Sequence, residues 1–127
     1  MLNKNEMENI VKEVVPDLVR ENAKKNRYYD EDSYEVENID SFNGDSFQEF
    51  ADGAENDDYI IKEEETFGGY EGAGEETWIV YSLLNKKTQE KIYFEINGYY
   101  NSWDGTEWNN WAVVKPKEVK KIIWVGV

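Results

Sequence analysis

Neither cysteine nor histidine occurs in the 127 residues of this chain. Without cysteine the chain can form neither a disulfide framework nor a thiolate metal site. Without histidine it lacks the most frequent general base and the most frequent nitrogen ligand of metals, and Ser-His and Cys-His nucleophilic mechanisms are excluded. The carboxylates show no spacing that is specific for a catalytic pair or a metal site. We therefore expect a protein that is not an enzyme and that needs no metal or cofactor.

Long apolar runs are missing as well. No stretch approaches the roughly 20 apolar residues of a membrane span, and the N-terminus lacks the apolar region and cleavage site of a secretory signal. We therefore expect no membrane association and a cytoplasmic location. The length of 127 residues fits one domain, 1–127, and aromatic residues make up 15% of the chain, which is enough to build a core.

Acidic residues are concentrated in the middle of the chain. Residues 30–76 contain eighteen acidic residues and one basic residue, Lys62, for a net charge of −17, whereas residues 1–29 carry +1 and residues 77–127 carry +2. Such a segment is either a solvated acidic loop region or an anionic face that docks on a basic surface. Direct binding to nucleic acid is not expected, because phosphate contacts require clustered lysine and arginine side chains.

The pattern of the first half of the chain predicts a helix, which is followed by an acidic segment that is largely without regular secondary structure. Apolar residues spaced three and four apart predict an amphipathic helix within residues 1–27, and Pro16 predicts a kink or a break near Val15. Residues 28–58 form an acidic segment in which a short helix is predicted at 46–51. The phenylalanines of this segment are interpreted as anchors to the core.

The second half, residues 59–127, shows the period-two alternation of half-buried strands. Short connections between the strands favour an antiparallel β-meander of four to five strands, and Asp104-Gly105 predicts a tight hairpin. The expected fold is α+β, with the N-terminal helix packed on this sheet. The predicted strands are 59–66, 77–84, 91–97 with an extension to 102, 107–114 and 119–125. The predicted core includes Val11, Val15, Leu18, Trp78, Val80, Phe94, Ile96 and Ile122.

A cluster of aromatic and amide side chains occupies the predicted hairpin 99–111. Such clusters suit sugar stacking, and tyrosine and tryptophan are also enriched at protein interfaces. Strand alternation directs some of the rings into the core instead. Three interpretations therefore stay open, namely core, a surface for a protein partner such as a virion component, and a carbohydrate platform. The rings belong to Tyr99, Tyr100, Trp103, Trp108 and Trp111.

Four stretches of the C-terminal half form a recognisable series. They are FGGYEGAG at 67–74, TWIVYSLL at 77–84, INGYYNSWDGTEW at 96–108 and the Val-Lys-Pro element at 114–116. In these stretches, residues 67–124 resemble a group of small uncharacterised bacteriophage proteins. The resemblance implies a phage origin and bears on the fold, and it carries no catalytic residues.

A phage origin favours a particular class of function for an acidic protein. Small acidic phage proteins are often DNA mimics or inhibitors of host enzymes, so the expected partner is a basic, nucleic-acid-handling host protein such as a restriction enzyme, a CRISPR effector or a polymerase in the host cytoplasm. The alternatives are an immunity protein that neutralises a basic toxin and a recognition module built on the hairpin 99–111. The predicted contact residues are Asp30, Glu31, Asp32, Glu35, Glu37, Asp57, Asp58, Glu63, Glu64 and Glu65.

Overall fold

The described residues include two helices and a four-stranded sheet. The computed structural model describes residues 2–25, 39, 42, 44–68, 76–101, 103 and 105–127. The elements are α1 (Lys4–Lys24), α2 (Gly44–Ala51), β1 (Tyr59–Phe67), β2 (Glu76–Asn85), β3 (Lys91–Asn101) and β4 (Gly105–Val114). The strands pair in chain order, and every pair is antiparallel. The predicted α+β fold with an antiparallel meander is therefore confirmed.

The start of α1 follows from its local sequence. The Asn3 side chain accepts a hydrogen bond from the backbone N–H of Glu6 at 2.8 Å, and the Glu6 carboxylate accepts one from the backbone N–H of Asn3 at 3.4 Å. This reciprocal capping box satisfies backbone donors that have no partner within the helix. The helix therefore begins immediately after Asn3.

Tertiary packing keeps α1 continuous across Pro16. The helix continues past Pro16 to Lys24, so of the kink or break that was predicted near Val15, the break does not occur. Proline removes one backbone hydrogen bond, but Pro16 itself is buried together with Val11 and Val19 on the side of α1 that joins the core. Burial of this apolar side against the sheet outweighs the local preference of proline, because most helix stability in proteins comes from tertiary packing.

One face of the sheet, the core face, lies under both helices. Alternate residues of β2 and β3 are buried on it, and the side chains from α1 and α2 join the same cluster. Aromatic contacts tie these layers together: the Tyr81 ring stacks on Phe94 with centroids 5.4 Å apart, and Phe47 of α2 meets Tyr81 edge-on at 5.9 Å. The core-face residues of these two strands are Thr77, Ile79, Tyr81, Leu83, Ile92, Phe94 and Ile96.

The opposite face, which we call the open face, carries the other half of each strand. Trp78 and Val80 were predicted in the core, but they are half-buried on the open face because they alternate with the buried residues Ile79 and Tyr81. Both faces of β2 are apolar at these positions. The period-two pattern therefore did not reveal which face would lie under the helices.

The predicted fifth strand, 119–125, is wrong. Residues 115–127 have neither helix nor strand, and Ile122, which was predicted in the core, is 85% exposed. Pro116 lacks a backbone donor and follows β4 closely. A short apolar run in the sequence indicates that its side chains favour burial, but it does not indicate which surface they pack against.

A close backbone approach between β3 and β4 requires a glycine. The pairing of these strands shifts register between Asn97 and Gly98, and Gly98 faces Trp108 across the shift. A Cβ atom at Gly98 would overlap with the backbone carbonyl oxygen of Glu107. Only glycine allows this approach.

We predict that Gly98→Ala lowers the free energy of unfolding by about 2 kcal/mol, because the strands must separate to admit the added methyl group. Urea denaturation measures the change. Gly126→Ala is the matched control, since nothing lies within 4 Å of a Cβ at that position. Equal stability of the two variants would contradict the close approach of β3 and β4.

A second prediction concerns the buried hydroxyl of Tyr81, which has no hydrogen-bond partner among the described residues. Tyr81→Phe keeps the ring contacts and removes a desolvated polar group, so the free energy of unfolding should stay level or rise by up to about 1 kcal/mol. Thermal and urea unfolding measure it. Tyr93→Phe, on the half-buried open face, is the control. A clear loss of stability in Tyr81→Phe alone would show that the hydroxyl is satisfied.

Candidate functional site

Four exposed carboxylates lie together at the β1 edge of the sheet. The backbone N–H of Glu63 donates to the Asp52 carboxylate at 2.9 Å, which joins the end of α2 to the strand. Glu64 and Glu65 continue along β1, and all four residues are exposed. We call Asp52, Glu63, Glu64 and Glu65 the acidic edge.

A bulge places two of these carboxylates on the same side. Glu63 pairs with Tyr81 and Glu65 with Val80, so Glu64 is an extra residue in the strand. The Ser82 hydroxyl donates to the Glu64 carboxylate at 2.6 Å, and both Ser82 and Val80 belong to the open face. In a regular strand, neighbouring side chains point to opposite faces. The bulge therefore brings Glu64 and Glu65 to the open face together, while Glu63 lies on the other side of β1.

The acidic edge also affects the core behind it. Burial raises the pKa of the Tyr81 hydroxyl above its ordinary value, and the nearby carboxylates of Glu63 and Asp52 raise it further. The hydroxyl stays protonated at neutral pH. Tyr81 therefore adds no negative charge, and the charge of the acidic edge comes from its four exposed carboxylates.

A second acidic group, in the turn before β1, is largely neutralised. Glu55 accepts from the Lys86 ammonium at 2.8 Å, and Asp58 pairs with Lys87 at 3.0 Å. The backbone N–H of Lys86 donates to the Asp58 carbonyl at 2.8 Å, which holds the two segments in register. Asp57 in the same turn is exposed. Of the predicted contact residues, Asp57 and Asp58 therefore lie beside a basic hairpin and apart from the acidic edge.

Half of the predicted contact residues lie outside the described residues. These are Asp30, Glu31, Asp32, Glu35 and Glu37. The structure brings Glu63, Glu64 and Glu65 together and adds Asp52, which the sequence analysis did not select. Asp52 precedes Gly53 and has the pattern of a turn residue, so only the fold-back of residues 52–55 onto β1 reveals its place in the site.

The aromatic hairpin does not assemble five rings on one surface. Tyr99 and Trp103 are 59% and 93% exposed, and Tyr100 is half-buried. Trp108 is buried, and Trp111 meets Phe42 edge-on with centroids 4.8 Å apart, so both belong to the core side of the sheet. The rings available to a ligand are therefore mainly those of Tyr99 and Trp103.

Described residues form two small, partly open cavities. One cavity of about 10 Å³ lies between α2 and the sheet beside Tyr81 and Trp108, and another of about 30 Å³ lies between α1 and the sheet beside Leu83 and Glu90. Neither cavity brings two carboxylates together. Among the described residues, no group of three or more acidic side chains is arranged to hold a metal ion. The acidic edge lines neither cavity, and its four carboxylates lie on the exposed surface.

Comparisons with known proteins returned no relative. No family model matches this chain, and neither a curated protein nor a solved structure matches it. Within the described residues, no helix has the length and apolar character needed to cross a membrane. Inference about function therefore depends on the chemistry of the surface.

The ion pair of Glu55 with Lys86, in the turn before β1, predicts that the stability of the fold depends on pH. The hydrogen bond and charge of Lys86 hold the pKa of the Glu55 carboxyl below its ordinary value of 4.5, and Lys25 adds a smaller effect in the same direction. A lowered folded-state pKa stabilises the fold above the unfolded-state pKa, and that stabilisation is lost as pH falls through the folded-state value.

We therefore predict that Lys86→Gln loses less stability than the wild type when the pH is lowered through this range. Urea unfolding at a series of pH values measures the difference, which should be modest because Glu55 is exposed. Lys91→Gln removes an exposed lysine for which no described residue is an ion-pair partner, and it serves as the control. Parallel pH profiles for wild type and Lys86→Gln would contradict the assignment.

Proposed function

We propose that this protein binds a basic, nucleic-acid-handling protein through its acidic edge and inhibits it by occupying a surface meant for nucleic acid. The observation that carries the proposal is the contiguous set of exposed carboxylates formed by Asp52, Glu63, Glu64 and Glu65, in which the bulge places Glu64 and Glu65 on one side. Glu55 and Asp58, in the turn before β1, form salt bridges with lysines. None of the four carboxylates of the acidic edge forms a salt bridge with another described residue.

The spacing of a strand supports imitation of nucleic acid. Successive residues of a strand rise by about 3.3 Å, and successive phosphates of one DNA strand rise by about 3.4 Å along the helix axis. Because the bulge brings Glu64 and Glu65 to the same side of β1, these two carboxylates present neighbouring negative charges, as consecutive phosphates of one DNA strand do. A groove lined with lysine and arginine attracts both arrays by the same electrostatic force.

The resemblance to phage proteins directs the choice of partner. A phage protein of this kind would act in the host cytoplasm against a restriction enzyme, a CRISPR effector or a polymerase. An immunity protein that neutralises a basic nuclease toxin uses the same surface chemistry. In both cases the inhibitor carries the negative face, and the bound partner carries the positive one.

The first test uses charge-neutral variants of the edge. Replacing Glu63, Glu64 and Glu65 with glutamine keeps their size and the hydrogen bond from Ser82. We expect association with the partner to slow by about tenfold or more, since long-range attraction raises on-rates. The free energy of unfolding should change by less than about 0.5 kcal/mol, because these are exposed surface positions.

The matched control removes three exposed carboxylates elsewhere, by replacing Glu13, Glu90 and Glu107 with glutamine. Its net charge equals that of the edge variant, so a difference between the two reports position rather than total charge. Binding kinetics at low and high salt measure both. Equal slowing in the two triple variants would show that no particular surface is used.

Partner identification and mimicry are tested together by affinity capture from host lysate, with mass spectrometry at low and high salt. Basic nucleic-acid-binding proteins should be captured by the wild type and by the control variant, and lost with the edge variant or at high salt. Added duplex DNA should compete for the captured protein. Capture that survives the edge variant and is abolished by Trp103→Ala would replace the acidic edge with the aromatic hairpin as the binding site.

A further inference from the structure

The C-terminal segment 115–127, which we call the tail, leaves the sheet after β4 and is exposed along its whole length. Ile122 is 85% exposed, and Trp124 is 93% exposed. Contiguous exposed apolar side chains typically mark an interaction surface, and β-branched and aromatic residues favour an extended strand. The large apolar side chains of the tail are Val119, Ile122, Ile123, Trp124, Val125 and Val127.

The open face of the sheet offers apolar surface of the matching kind. Phe67 is 44% exposed and stacks on Trp78, with centroids 5.5 Å apart and an interplanar angle of 17°. Val80 and Leu84 extend this surface along β2, and both are half-buried. The core cluster that includes α1 and α2 lies on the other face. The tail and the open face are thus two apolar surfaces of one chain.

Their charges are complementary. The tail contains four lysines and Glu118, for a net charge of +3. Alternation and register place five acidic and two basic residues on the open face, for a net charge of −3, and none of the tail lysines pairs with another described residue. The open-face charges are Glu64, Glu65, Glu76, Glu95, Glu107, Lys62 and Lys91, and the tail lysines are Lys115, Lys117, Lys120 and Lys121.

We propose that two copies of this chain associate by exchanging tails, so that the tail of each copy packs along the open face of the other. In the structure the tail does not pair with a strand of its own sheet. Pro116 lies two residues after the end of β4, and the strand does not continue into the tail. A second copy supplies the missing surface, and a two-fold arrangement makes the two contacts equivalent and closes the assembly. An extended segment that docks on a sheet of another molecule is a recurring mode of recognition.

Electrostatics decides how the two copies approach. Each copy carries a net charge of −14, so two bodies repel one another. The tail is a basic segment of this acidic chain, and its lysines offset the repulsion at the open face. They would also neutralise Glu64 and Glu65 of the acidic edge, so self-association and the binding of a basic partner compete for these two carboxylates.

The first experiment compares full-length variants by light scattering coupled to size-exclusion chromatography over a concentration series. The wild type should reach the mass of two 15.0-kDa copies. Replacing Ile122, Ile123 and Trp124 with serine should halve that mass. Trp103→Ser is the matched control, because Trp103 and Trp124 are both 93% exposed, and it should associate like the wild type.

The second experiment separates the two halves of the contact. Phe67→Ser alters the open face and leaves the tail intact, and circular dichroism confirms that the variant is folded. The Phe67 variant and the tail variant should each be monomeric alone. A mixture of the two should form a heterodimer, detected by native mass spectrometry, because one intact tail can still meet one intact face.

Four results would overturn the proposal. They are a wild type that stays monomeric at every concentration, a dimer that persists in the tail variant, a monomer whose tail amides are protected from hydrogen exchange by its own sheet, and a monomer that co-sediments with vesicles of anionic phospholipid through the tail. The assays contain no partner protein, so any of these results leaves the proposed function to its own tests.

Discussion

One-sided burial of the sheet is the constraint on which the rest of the structure depends. The packing of Tyr81 against Phe94 and Phe47 joins β2, β3 and α2 in a single apolar layer. Because strand side chains alternate, burying one face of β2 commits its neighbours Trp78 and Val80 to the opposite face. Helix α1 lies over the same layer through Val11 and the buried residues around it, and this packing carries the helix past Pro16.

The position of the negative charge follows from that constraint. With the core face under the helices, exposed carboxylates lie at the strand edge and in the turns. The turn carboxylates Glu55 and Asp58 meet Lys86 and Lys87, whereas the acidic edge has no ion pair among the described residues. Uncompensated like charges destabilise a compact state, and their concentration on one strand is the observation on which the proposed binding role rests.

The aromatic hairpin shows how the same constraint sorts residues that look alike in sequence. Trp108 and Trp111 lie on the core side of β4, and Trp103 lies at the tip of the hairpin, almost fully exposed. A bulge near Gly98 sets this arrangement, because it inserts one residue into β4 relative to β3. No periodicity argument locates a bulge, so the exposure of individual rings was not readable from composition or spacing.

Local signals in the sequence were sufficient for the helices and strands that the described residues form and for their order, although they also predicted a fifth strand that does not form. Period-two alternation and short turns predicted four strands of the meander to within a few residues, and the spacing of apolar residues predicted α1, because these patterns arise from the geometry of one element at a time. Three features each depend on a second segment that is distant in sequence. They are the absence of a strand at 119–125, which leaves Ile122 exposed, the face to which Trp78 points, and the contact of Asp52 with Glu63. Burial and charge proximity are properties of pairs of surfaces, and for this chain only the tertiary structure decided which surfaces meet.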